Sequence, residues 1–193
     1  MNSVDLVGWS ALLAAVATVV GALFLVLFFA KGQPWGTLND IASVVLMVAT
    51  IPVAVALGLL GEGAFGALAW LVTALGIIGM AGAAVAQALL VARVRAYRQL
   101  LPWTLGSGAV VGVWYVLVGL LGLEFVTTRS YPLLLIALAV ASGIGFIAVG
   151  YGFWRGNERH PLSIVGGLVL LVSSTSFLGW IAFLTLGSGP TSG

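Results

Sequence analysis

Residues 8–30 read Gly-Trp-Ser-Ala-Leu-Leu-Ala-Ala-Val-Ala-Thr-Val-Val-Gly-Ala-Leu-Phe-Leu-Val-Leu-Phe-Phe-Ala, an uncharged apolar run that stops at Lys31. A helix rises by roughly 1.5 Å per residue, so ~20 such residues cross a hydrocarbon core of ~30 Å. The run does not alternate polar with apolar as a barrel strand would, and a lone strand would leave its backbone unpaired in lipid. A membrane-spanning helix over Gly8–Ala30 is predicted. Only Asp5, and no positive charge, precedes it within Met1–Val7, so the segment reads as a retained anchor and not as a cleaved signal peptide.

Five more apolar runs follow it along the chain, at Leu38–Gly61, Ala64–Ala92, Trp103–Glu124, Tyr131–Trp154 and Pro161–Gly187. Between them stand Lys31-Gly32-Gln33-Pro34, Gly61-Glu62-Gly63, Arg93 to Pro102, Thr127 to Pro132 and Arg155 to Pro161, which all join charge to glycine, proline or both. Pro132 and Pro161 suit a first helical turn, where no amide donor is needed. Thr37 with Asp40 reads as a capping pair opening the second helix. The whole chain is 62% hydrophobic and 6% charged. Soluble domains carry about 25% charged residues, so lipid must be the solvent for most of the surface. The expected fold is all-α, a polytopic bundle of six transmembrane helices with short loops. Residues 1–187 form one domain, and the Gly/Ser/Pro-rich tail 188–193 is a flexible extension.

Alternate loops share a side of the membrane. One side collects Lys31, Arg93, Arg95, Arg98, Arg155 and Arg159, against Arg129 alone on the other. The positive-inside rule then puts the basic loops in the cytoplasm and both termini outside, in a plasma membrane. Trp9 falls near the outer boundary and Trp35, Trp103 and Trp154 near the inner one, where indoles prefer to lie. Trp114 is the exception, at the centre of its helix beside Tyr115.

Composition excludes much chemistry. The chain has no cysteine, which removes disulfides, thiolate metal sites and cysteine nucleophiles. Its one histidine, His160, cannot build a paired-histidine haem site or a multi-histidine zinc site. No metal or cofactor is expected. The net charge of +2 rests on a few loop groups and reports topology, not nucleic-acid binding. No charge falls at a helix centre, which argues against a buried carboxylate relay or a retinal Schiff base. Glu158-Arg159-His160 offers an acid–base pair, although a charged turn between two helices explains it more simply.

Two patterns remain. Small residues recur at Gly76, Gly79, Gly82 and Ala86, at Gly108 and Gly112, and at Ala139, Ala141, Gly143 and Gly145. They mark helix–helix seams, and Gly108-x-x-x-Gly112 could also serve a homo-oligomer or a partner subunit. Polar side chains meanwhile gather at helix midpoints: Thr18, Thr50 near Pro52, Trp114, Tyr115, Ser142, and Ser173-Ser174-Thr175-Ser176. Each hydroxyl can satisfy itself on the carbonyl one turn back, so a purely structural role is open. Four consecutive hydroxyls nevertheless span too wide an arc for one neighbour. The candidate ligand-binding set is Thr50, Trp114, Tyr115, Ser173, Ser174, Thr175 and Ser176, arranged between the second, fourth and sixth helices. Arg93, Arg95 and Arg98 are a topology anchor or a lipid-headgroup site. The leading functional reading is binding or passage of an uncharged or lipophilic small molecule, and the alternative is a non-catalytic scaffold or accessory subunit of a membrane complex.

The charge bias makes a direct prediction. Cysteines introduced at Ser3 and Ser188 should react with an impermeant thiol reagent in intact cells, and one at Gln99 should not. The opposite pattern would reverse the topology.

Overall fold

The computed structural model describes residues 3–129, 133–155 and 160–187, with the backbone alone over 123–129. It contains six helices: α1 (Ser3–Lys31), α2 (Trp35–Phe65), α3 (Ala67–Val91), α4 (Tyr97–Arg129), α5 (Leu133–Trp154) and α6 (Pro161–Gly187). All six are long and apolar enough to cross a bilayer, and the protein is an integral multi-pass membrane protein. Each helix packs on the next in the chain, and α6 returns to pack on α1. The result is a closed six-membered ring of antiparallel neighbours.

Glycine sets most of the seams. In lipid, apolar helices gain nothing from hiding apolar surface from water, so close backbone approach and dispersion must hold them together. A Cβ at Gly8 would stand 2.6 Å from the Leu186 and Thr185 side chains, where α1 meets α6. On α3, one at Gly76 would strike the Trp114 ring at 2.5 Å, one at Gly79 would meet Val110 at 2.9 Å, and one at Gly82 would meet the Ser107 hydroxyl at 2.6 Å. Gly112 and Gly143 bring the α4 and α5 backbones together, with the Gly143 carbonyl 2.9 Å from the Cβ position of Gly112. Gly145 and Gly166 do the same for α5 and α6. Gly108 is different: a Cβ there would meet nothing within 4 Å.

The helix ends depart from the sequence reading in three places. First, α2 starts at Trp35, so Thr37 and Asp40 lie inside it and do not cap it. The Gln33 side chain caps instead, its Oε1 accepting from the Thr37 amide at 3.3 Å and standing 3.2 Å from the Thr37 hydroxyl. Second, α2 runs through Gly61-Glu62-Gly63 and ends only at Gly66, whose φ of +51° is left-handed. Interior glycine costs a helix only about 1 kcal/mol, too little to break one held by its neighbours. Third, α4 begins at Tyr97, which places Pro102 in its second turn. Only the bond to the Arg98 carbonyl is forfeited there.

The α3 terminus shows how the tight basic turn is made. The Val94 amide reaches the Leu89 carbonyl at 3.1 Å and the Arg93 amide reaches Leu90 at 3.0 Å. This is the double bond of a Schellman motif, with Arg93 in the left-handed position, at φ 57°, that glycine usually takes. At the start of α6, His160 precedes Pro161 and its Nδ1 accepts from the Leu162 amide at 3.2 Å. That acceptor role requires an unprotonated Nδ1. Glu158 and Arg159 lie outside the described residues, as do Tyr131, Pro132 and the tail 188–193.

The α3–α4 seam should tolerate no bulk. Gly79→Leu must displace Val110 and the Val111 amide, which stands 3.0 Å from the Cβ position. Overpacking of this kind typically costs about 1–3 kcal/mol. A lower melting temperature in detergent is expected, and an unchanged one would contradict the seam.

Candidate functional site

The centre of the ring is filled by aromatic side chains. Trp114 is fully buried at the middle of α4, Tyr115 is 2% exposed and Phe177 of α6 is 1% exposed. The Trp114 and Tyr115 rings meet edge-on with centroids 4.7 Å apart, Tyr115 meets Phe177 edge-on at 5.7 Å, and Phe146 of α5 stacks on Tyr115 at 6.0 Å. Edge-to-face contacts suit the ring quadrupoles and each adds about 0.5–1.5 kcal/mol beyond burial. Gly76 makes the plug possible, because any side chain there would occupy the indole's place.

The midplane hydroxyls take up positions around this plug. Thr50 donates to the Leu46 carbonyl at 2.7 Å, Ser173 to Val169 at 2.6 Å and Ser174 to Leu170 at 2.6 Å. All three are satisfied within their own helices. A contact between helices joins two of the described hydroxyls: the Ser142 hydroxyl stands 2.7 Å from the Leu138 carbonyl and 3.0 Å from the Ser173 hydroxyl. The Thr175 Oγ1 is buried without a hydrogen-bond partner among the described residues, and Ser176 lies on the exposed face of α6. The structure thus brings Trp114 and Tyr115 together, and Ser173 with Ser142. Thr50 sits apart from the α6 hydroxyls, because α2 packs chiefly on α1 and α3.

Beyond the plug, toward the end opposite the basic loops, lies a cavity of about 100 Å³. Trp114 and Phe177 form its floor. Its walls come from Leu57, Gly58 and Gly61 of α2, Val72 and Thr73 of α3, Val118 and Gly119 of α4, and Leu135 and Ala139 of α5. Leu60, Phe65 and Leu121 also line it. The Thr73 hydroxyl donates to Ala69 at 2.9 Å, so the lining offers almost no free polar group. Of the residues expected to line a pocket, only Trp114 lines this cavity. Thr73 and the α5 wall were missed. Gly58-x-x-Gly61 and Gly119-x-x-Gly122 were the available signals, since paired small residues on two helices leave room between them.

No known protein family, curated protein or solved structure matches this chain. Among the described residues no group of histidine and carboxylate side chains could hold a metal ion. Arg93, Arg95 and Arg98 are all exposed at the basic end, with Arg93 and Arg95 in the α3–α4 turn and Arg98 in the first turn of α4.

The Ser142–Ser173 contact can be measured by a double-mutant cycle. Alanine at both positions should reveal a coupling near 0.6 kcal/mol, the average for interhelical hydrogen bonds in membranes. Strictly additive effects on unfolding would show that each serine bonds only its own helix.

Proposed function

We propose that this protein binds a small, uncharged, lipophilic molecule in the cavity floored by Trp114 and Phe177, with its basic end facing the cytoplasm. The supporting observation is the cavity itself, about 100 Å³ with almost wholly apolar walls. Engineered apolar cavities of roughly 150 Å³ stay dry and take up benzene or xenon, so a space of this kind suits a small apolar group and repels an ion. Binding fits the geometry better than passage. The Trp114, Tyr115 and Phe177 rings occupy the centre directly beneath the cavity, and a solute would have to displace all three. In this reading Trp114 is the contact residue. Tyr115 and the Ser142–Ser173 pair hold the plug behind it, and Thr50, Ser174, Thr175 and Ser176 act on the packing of their own helices.

Native mass spectrometry of gently purified protein should show a small apolar adduct. Val118→Phe, at a half-buried lining position, should fill the space and remove the adduct while the melting temperature stays within a few degrees. Trp114→Phe should weaken retention, because it shrinks the floor. A protein that carries no adduct and shows no saturable xenon shift by NMR would refute the proposal.

A further inference from the structure

A second concavity lies on the outside of the ring, between α4 and α5 near the basic end. It is a groove of about 500 Å³, walled on one side by Pro102, Gly106 and Ala109 and on the other by Gly150, Tyr151 and Trp154. Glycine lines it on both helices, and a Cβ at Gly106 or Gly150 would meet nothing within 4 Å. The groove therefore opens to the hydrocarbon, and an acyl chain is the occupant that the surrounding solvent supplies.

Each wall ends in an arginine. On α4, Arg98 lies one turn before Pro102, on the stripe that continues through Leu105 and Ala109. Just past the end of α5, Arg155 follows Tyr151 by four residues, and its guanidinium carbon sits 5.8 Å from the Tyr151 ring centroid. Trp154, 75% exposed, stands at the same level, where an interfacial indole belongs. An apolar trough with cations at its interfacial end matches the shape and charge of one lipid class. Guanidinium groups recognise phosphate oxygens in a fork geometry, and flanking aromatics settle at the headgroup level.

We propose that the α4–α5 groove is a binding site for an anionic phospholipid, its phosphate held between Arg98 and Arg155 and one acyl chain laid over Gly106 and Gly150. The site is separate from the interior cavity and does not depend on a ligand there. It also divides the basic cluster: Arg98 belongs to the lipid site, while Arg93 and Arg95 belong to the turn.

The test uses the full chain in detergent, titrated with phosphatidylglycerol or phosphatidylcholine and read by native mass spectrometry. The wild type should hold phosphatidylglycerol in preference. Arg98→Gln with Arg155→Gln should lower its occupancy at least about tenfold, the scale of losing even one charge-assisted contact, and lower that of phosphatidylcholine less, because there the same phosphate stands beside a choline cation that the arginines repel. Gly150→Leu, whose Cβ would meet nothing within 4 Å and whose side chain enters the trough, should lower occupancy by both lipids. A site for bare phosphate would be indifferent to that change. Arg93→Gln with Arg95→Gln should have no effect. Equal losses from the two arginine pairs, unaltered binding by Gly150→Leu, or no lipid preference in the wild type would each overturn the assignment.

Discussion

The constraint on which this structure rests is the absence of a hydrophobic force between helices that already sit in hydrocarbon. Lipid tails are as apolar as leucine, so association must come from contact close enough for dispersion to exceed what lipid offers. The chain meets this with glycine at the crossing points. Gly8 closes α6 onto α1, Gly76 and Gly79 bring α3 to α4, and Gly112 and Gly143 let two backbones touch. Large aliphatic side chains go the other way: Leu71, Ile78 and Val85 on α3 are all strongly exposed, on the face opposite those glycines. The chain is inverted relative to a soluble bundle, with small residues inside the seams and bulk outside.

A ring of six antiparallel helices leaves a centre that seams alone cannot fill. Neighbours approach closely, but helices across the ring do not, and the remaining space takes the largest side chains available. That accounts for a tryptophan at mid-membrane, away from the interface where its indole would normally lie. Trp114, Tyr115, Phe146 and Phe177 form one contact set at a single level. Where the aromatics end and paired glycines begin, the filling fails and the cavity opens. Plug and cavity are thus two consequences of the same geometry, and a change to either should be felt by the other.

The midplane hydroxyls show why a polar pattern in sequence is weak evidence for a polar site. Thr50, Ser173 and Ser174 each return to a carbonyl of their own helix. An intrahelical acceptor is always within reach, whatever the neighbours do. Among these hydroxyls of the described residues, Ser142 and Ser173 meet across a seam, and nothing local in either segment distinguishes them from the others.

The number of spans, their apolar character and the gathering of basic residues at one end are legible in the amino-acid order, because each depends on runs of residues against a bilayer of known thickness. That order also marked Gly76, Gly79 and Gly82 as a packing face, since spacing along one helix is a local property. Which helices neighbour one another was left to tertiary structure, and that in turn decided the cavity and the groove. Gly108 and Gly112 make the difference plain. They are alike in sequence and share a face, yet one presses on the Gly143 carbonyl and the other meets open space. The spacing of small residues says where a helix can be approached closely, but the approach itself is made by another helix, and its position is set by packing around the whole ring.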